Sequence, residues 1–206
     1  PTPTEEPTPR PTAPPEGPTP TPLSGLAITP VVTQPAATSS DPDAILPRYR
    51  IISYYGHPNS DSMGILGEYS KEELLAKLQE ERDAYEAADP SRPVMMAFEL
   101  IASVAQPYPA TEDTYLNFTS NDIIQEYVDF VTENDIILIL DLQIGRSTVR
   151  AEIDRVEQWL LFPNVHLALD PEFAMDEGEI PGTSIGGIDA SDITYAQERL
   201  AKIAAE

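Results

Sequence analysis

The chain has 206 residues, with 35 acidic and 12 basic side chains and a formal net charge of −23. This charge excludes a nucleic-acid-binding or anionic-membrane-binding surface, because both need a basic patch. The absence of cysteine excludes disulfides, zinc–thiolate sites and cysteine nucleophiles.

The first 47 residues differ from the rest in composition. Residues 1–47 contain repeated Pro-Thr pairs and 14 of the 22 prolines, so we expect a disordered, Pro/Thr-rich linker there and one domain over residues 48–206. Such a spacer is typical of proteins that hold a module away from a cell envelope. We therefore expect an extracellular or envelope-surface protein whose signal or lipid anchor lies upstream of Pro1. The alternative is a linker between cytosolic domains.

The domain alternates between short apolar runs and amphipathic helix patterns. The first helix is predicted to begin at a capping box of Ser70 and Glu73, and to end before Asp89-Pro90. The second begins near Thr119 or Ser120, the third is capped by Ser147, and the last covers about 191–205. The four predicted strands are Arg50–Tyr55, Pro93–Val104, Ile136–Leu142 and Val165–Leu169.

Four consecutive βα units predict a parallel α/β sheet with right-handed crossovers. Ile136–Leu142 is apolar on both faces, as a parallel strand covered by helices should be. An open doubly wound sheet and half of an eight-stranded barrel both fit. No glycine-rich phosphate loop follows the first strand, so we favour the N-terminal half of a (β/α) TIM barrel, completed by a missing C-terminal half-barrel or a dimer partner.

Acidic residues follow or interrupt three of the four strands: Glu99, Asp141, and Asp170 with Glu172. If they face the barrel interior, they converge on one site, where each must be paired, protonated or metal-bound. Two such carboxylates supply an acid and a base, the pattern of glycoside hydrolysis. The alternatives are an ion pair of Glu99 with Arg92 or Arg146, a loop cap at Asp141 and a turn at Asp170-Pro-Glu172.

Asp141 and five further residues near strand ends are candidates for substrate binding. His57 directly follows the first strand, Gln143 shares a strand face with Asp141, and Arg146 is placed to neutralise the cluster or bind an anion. Tyr54 and Phe173 are placed to stack on a sugar ring.

Three segments carry a resemblance to a known family: Ile52–Pro58, Leu138–Gly145 and Asn164–Phe173. They resemble an uncharacterised family of exported bacterial proteins with a glycoside-hydrolase-like TIM-barrel domain. Asp170-Pro-Glu172 is also similar to the fourth-strand ending of chitinase-like proteins. That resemblance implies that Glu172 is the proton donor and that Asp170 tunes or orients it, but the family's two earlier aspartates fall at Val165 and Ala168.

We therefore expect a glycoside-hydrolase-like surface protein without a cofactor, acting on or binding a carbohydrate or an envelope polymer. Glu172, Asp170 and Glu99 are the predicted catalytic residues. One alternative is a hydrolase that uses the same carboxylates around Mg²⁺ or Ca²⁺. The other is a non-catalytic, envelope-tethered binding module.

Overall fold

A computed structural model describes residues 44–110 and 113–205. The predicted linker lies outside the described residues except for its last four positions. The strands are β1 (Arg50–His57), β2 (Ser60–Gly64), β3 (Val94–Ala105), β4 (Leu116–Phe118), β5 (Ile137–Gly145) and β6 (Val165–Ala174). The α-helices are α1 (Lys71–Ala88), α2 (Asn121–Glu133), α3 (Val149–Leu160) and α4 (Ala190–Ile203), and a 3₁₀ turn covers Ile65–Gly67.

The sheet is mainly parallel, and its strands lie in the order β2-β1-β3-β5-β6. β1, β3, β5 and β6 are parallel neighbours in chain order, while β2 and β4 are short antiparallel additions to β1 and β3. The predicted α/β class with a parallel sheet and alternating strands and helices is therefore confirmed. A doubly wound sheet reverses its strand order at a switch point, and the described strands show no such reversal.

The hydrophobic core lies between one face of this sheet and the helices. Strand side chains alternate between faces, and the residues that face the core include Phe98, Leu100, Leu138 and Leu140, all 0% exposed. They pack against the apolar sides of α1, α2 and α3. The helices all contribute to this one core, so they lie on a single face of the sheet. The alternate strand positions form a second face that carries no helix in the described part of the chain.

Two of the predicted helix starts are confirmed, and one is wrong. Ser70 and Glu73 form the reciprocal capping box of α1, and the Ser120 side chain caps α2. The cap of α3 is Thr148, whose side chain accepts the Ala151 N–H. The Ser147 hydroxyl instead donates, at 2.6 Å, to the fully buried carboxylate of Glu152. The Ser147 hydroxyl bonds to Glu152 because a buried carboxylate without a hydrogen-bond donor costs more free energy than an exposed helix N-terminus, which water can satisfy.

The strands are longer than predicted, which changes where the acidic residues lie. β5 continues to Gly145 and β6 to Ala174, so Asp170 and Glu172 lie within a strand rather than after it, and Gln143 joins Asp141 inside β5. The segment between His57 and α1 contains β2 and the 3₁₀ turn, which are not among the predicted elements. No helix among the described residues is long and apolar enough to cross a membrane.

Candidate functional site: a carboxylate face on the parallel sheet

The helix-free face of the sheet carries a diagonal row of polar side chains. Tyr55 of β1 registers with Glu99 of β3. Asp141 stands two residues beyond the β5 partner of Glu99, and Asp170 stands two residues beyond the β6 partner of Asp141. Such diagonal neighbours lie about 7–8 Å apart, within reach of each other's side chains. We call this set the carboxylate face; its members are Ser53, Tyr55, Glu99, Asp141, Gln143, Asp170 and Glu172.

Asp141 is the most strongly perturbed group on the carboxylate face. The residue is 4% exposed, and burial raises its pKa from 3.8 to about 7. The nearby charges of Asp170 and then Glu99 also raise it, while hydrogen bonds from the Tyr55 hydroxyl and the Leu142 N–H lower it. At neutral pH both forms of Asp141 are populated, as a general acid–base group requires.

A chain of hydrogen bonds connects Asp141 to the end of β3. The Ala105 N–H donates to Gln143 Oε1 at 2.7 Å, which fixes the orientation of the amide. The Tyr55 hydroxyl interacts with the side chains of both Gln143 and Asp141. Burial, followed by the charges of Asp141 and Asp170, raises the pKa of Tyr55 to about 12. Tyr55 is therefore a neutral donor throughout the physiological pH range, with 39% of its surface exposed beside the carboxylates.

Asp170 and Glu172 on β6, and Glu99 on β3, lie on the two strands that flank Asp141. Burial first, and then the charges of Glu172 and Glu99, raise the pKa of Asp170; the Glu172 N–H donates to Asp170 and lowers it. This bond to the backbone two residues on is the contact that a turn would make, but both residues belong to β6. Ser53 Oγ donates to Glu99 at 3.3 Å. None of the ion pairs among the described residues neutralises these three carboxylates or Asp141.

His57 is held by hydrogen bonds on both ring nitrogens. The Thr119 hydroxyl donates to the Ile101 carbonyl at 2.7 Å, so it accepts from His57 Nε2 at 3.1 Å. Nδ1 accepts the Asn59 N–H at 3.2 Å. Burial lowers the pKa of His57, in keeping with a neutral ring. The predicted binding histidine thus joins the β1–β2 turn to β3 and β4, and neither nitrogen is free for a ligand.

Arg146 is directed at a loop rather than at the carboxylate face. Its guanidinium donates through Nε and Nη2 to the Glu179 carbonyl, at 2.9 and 2.5 Å, and lies 4.1 Å from the centre of the Tyr115 ring. The predicted neutralisation of the cluster is therefore not made. The loop after β6 satisfies the guanidinium with a backbone carbonyl and an aromatic face instead.

The two predicted stacking aromatics lie elsewhere. Tyr54 packs with the core beside α1, and burial followed by the charges of Glu81 and Glu80 raises its pKa. Phe173 lines a small cavity with residues 182–185. Tyr55, which the sequence reasoning missed, is the aromatic residue on the carboxylate face. The period of two along β1 separates Tyr54 from Tyr55, but only the pairing with β3 shows which of the two faces Glu99.

A cavity of about 540 Å³ lies beyond the carboxylate face, at the ends of β5 and β6 and at the N-termini of α3 and α4, and none of the carboxylate face lines it. Two of its four acidic residues, Glu179 and Asp192, accept N–H groups of their own loop and cap. Within residues 44–110 and 113–205, no group of three histidine or acidic side chains is arranged to hold a metal ion.

Comparisons of the chain with protein-family models, with curated proteins and with solved structures gave no match.

Proposed function

We propose that the carboxylate face is a carbohydrate site and that the chain is a glycoside-hydrolase-like protein. The observation that carries the proposal is the buried Asp141, with a pKa of about 7, electrostatically coupled to Asp170 and Glu99. Glycosidases need one carboxyl group protonated and a second ionised. Where carboxyl groups lie close together and partly out of water, their repulsion raises the pKa of one above that of its neighbour, so one stays protonated while the other is ionised.

The geometry supports a different proton donor from the one that the chitinase-like resemblance implies. Glu172 is exposed, whereas Asp141 is buried and positioned by the Tyr55 hydroxyl. We assign proton donation to the glycosidic oxygen to Asp141. Asp170 or Glu99, the neighbours on the adjacent strands, would serve as base or nucleophile. Tyr55 offers an exposed ring edge to a sugar and a hydroxyl that keeps the Asp141 carboxyl oriented.

The strand order favours a half-barrel as the setting of this site. Four parallel strands in chain order, with helices on one face, are what one half of a (β/α)₈ barrel contains. In a barrel the helix-free face is the interior, so the carboxylates would point into the central hollow. The Pro/Thr-rich composition of residues 1–47 supports a location at the outer surface of the cell.

A glycan array followed by product analysis tests the proposal. The wild-type chain is expected to bind a subset of glycans and to release a new reducing end, and Asp141→Asn is expected to bind the same glycans without cleaving them. Asp154→Asn, an exposed change on α3, is the matched control and should behave as wild type. Equal cleavage by Asp141→Asn on a confirmed substrate would refute the assignment of Asp141, and failure of the wild type to bind any glycan would refute the carbohydrate site.

A binding module without catalysis is the second candidate. The exposed Tyr55 beside the carboxylates favours it, because sugar-binding surfaces use such aromatic platforms beside polar groups. In that case wild type and Asp141→Asn bind glycans alike and neither releases a reducing end. No arrangement of ligating side chains in the described residues favours the Mg²⁺ or Ca²⁺ hydrolase.

A further inference from the structure

We propose that two copies of this chain associate edge to edge, with β6 of each copy pairing to β1 of the other, to close an eight-stranded parallel barrel. The first argument is the count of strands. The parallel run contains β1, β3, β5 and β6 in chain order, and eight strands is the number at which a parallel barrel closes with a filled interior. A two-fold axis through the barrel gives a closed dimer and leaves no edge at either seam.

The second argument is that the two outer parallel edges are open over matching lengths. β2 registers with β1 only at Gly56 and His57, so Arg50–Tyr55 have no neighbouring strand on that side among the described residues. On β6, the carbonyls of Glu172 and Ala174 accept the Gly186 and Gly187 N–H groups. The Val165 N–H donates to the Phe162 carbonyl at 3.0 Å, and the N–H groups of Leu167 and Leu169 have no such partner in the described part of the chain. Each copy thus leaves the N-terminal half of one strand largely open and covers the C-terminal half.

The direction of the backbone groups agrees with this pairing. The Arg50 N–H donates to Pro93, so alternation directs the N–H groups of Ile51, Ser53 and Tyr55 to the open side. Likewise the Leu138 N–H donates to the Asn164 carbonyl, so Val165, Leu167 and Leu169 direct their N–H groups away from β5. Pro171, the next in that series, has no N–H and stands where the proposed pairing stops.

The third argument is an apolar groove beside the open half of β6. It has a volume of about 480 Å³, and its lining includes Leu161, Phe162, Leu167, Leu200 and Ile203. Leu161 is 56% exposed and Phe162 is 36% exposed. A neighbouring strand on β6 would place alternate side chains into this groove. Ile52 and Tyr54 are the β1 side chains on the same face of the sheet as the groove, and both are only partly buried in the single chain.

This proposal goes beyond the carbohydrate proposal and does not rest on it. Closure would place both carboxylate faces in one interior, which like charges oppose. We therefore expect the association to strengthen as salt is raised, because salt screens the repulsion between two chains that each carry a charge of −23.

Light scattering during size exclusion, at several concentrations and at low and high salt, gives the test. The expected result is a species of about 45 kDa, twice the 22.6 kDa of one chain. Hydrogen exchange should show protected amides at Ile51, Ser53 and Tyr55 in that species. A monomer under all conditions, an open-ended polymer, or a dimer in which these amides exchange freely would overturn the proposal.

Two variants separate the seam from the fold. Leu161→Lys places a charge in the groove and should weaken the dimer at least tenfold, whereas the matched Ile185→Lys, at an isolated residue 88% exposed, should leave it unchanged. Ser53→Pro removes an N–H from the open edge of β1 without removing a bond to β3, and should also weaken the dimer. Circular dichroism and thermal melting confirm that each variant is folded; a folded Leu161→Lys that dimerises as wild type would contradict the seam.

Discussion

Replacing Asp141 by asparagine tests the electrostatics of the carboxylate face without any substrate. The native structure holds the pKa of Asp141 at about 7, against 3.8 for a free side chain. A raised native pKa makes the native state bind a proton that the unfolded chain has lost. The stabilisation is complete below pH 3.8 and is lost as the pH rises through 7. The difference corresponds to about 4 kcal/mol of unfolding free energy between these limits.

About 1.5 kcal/mol of this loss has already occurred at pH 5, so about 2.5 kcal/mol remains to develop between pH 5 and pH 8. The asparagine side chain does not titrate, and the Asp141→Asn variant should therefore gain about 2.5 kcal/mol relative to wild type over that interval. Urea unfolding of both proteins at pH 5, 6, 7 and 8 measures the gain. Asp154→Asn, at an exposed site on α3, should show a change within about 0.5 kcal/mol. A stability difference between Asp141→Asn and wild type that is the same at pH 5 and pH 8 would refute the conclusion that burial and neighbouring charges raise the pKa of Asp141.

Three further changes probe the surroundings of the site. Tyr55→Phe removes the hydroxyl that donates to Asp141, so the Asp141 pKa should rise further in a carbon-13 carboxyl titration, whereas Tyr54→Phe on the opposite face should leave it unchanged. Burial lowers the pKa of His57, so the unfolded chain takes up the proton first and the contribution of His57 to stability falls as the pH drops below 6.5. In guanidinium unfolding, His57→Gln should therefore gain stability relative to wild type on going from pH 7 to pH 5; a difference between variant and wild type that is the same at both pH values would contradict the neutral ring. Thr148→Ala removes the cap of α3 and should cost about 1 kcal/mol in thermal unfolding at pH 7, and an unchanged melting temperature would argue against that cap.

The sequence predicted the repeating βα order because its signals are local. The Ser70–Glu73 capping box and the Ser120 cap follow from adjacent residues, and the apolar run of β5 follows from burial on both faces. Strand ends were less predictable. Asp141 and Asp170 interrupt an apolar pattern, but the backbone pairing with the neighbouring strands continues past them. β2 and β4 are only five and three residues long, and the pairing with their neighbours makes them strands.

The candidate site was predictable in its residue types but not in its directions. Glu99, Asp141, Asp170 and Glu172 were identified because acidic side chains in apolar strands need an explanation. Their convergence depends on register, and so does the choice between Tyr54 and Tyr55. The contacts of His57 with Thr119, and of Arg146 with the Glu179 carbonyl, join residues more than 30 positions apart, and no local pattern signals them.

The succession of parallel strands in chain order also has a consequence for how the protein forms. Each βα unit adds its strand beside the one made just before it, so most interstrand pairs connect consecutive units. Each pair must first close a crossover, as between Arg50 and Val94 or Leu138 and Val165, and such non-local parallel pairing is slow. The order nevertheless lets the sheet grow one unit at a time during synthesis from the N-terminal side. β1 and β3 can pair before β6 has left the ribosome.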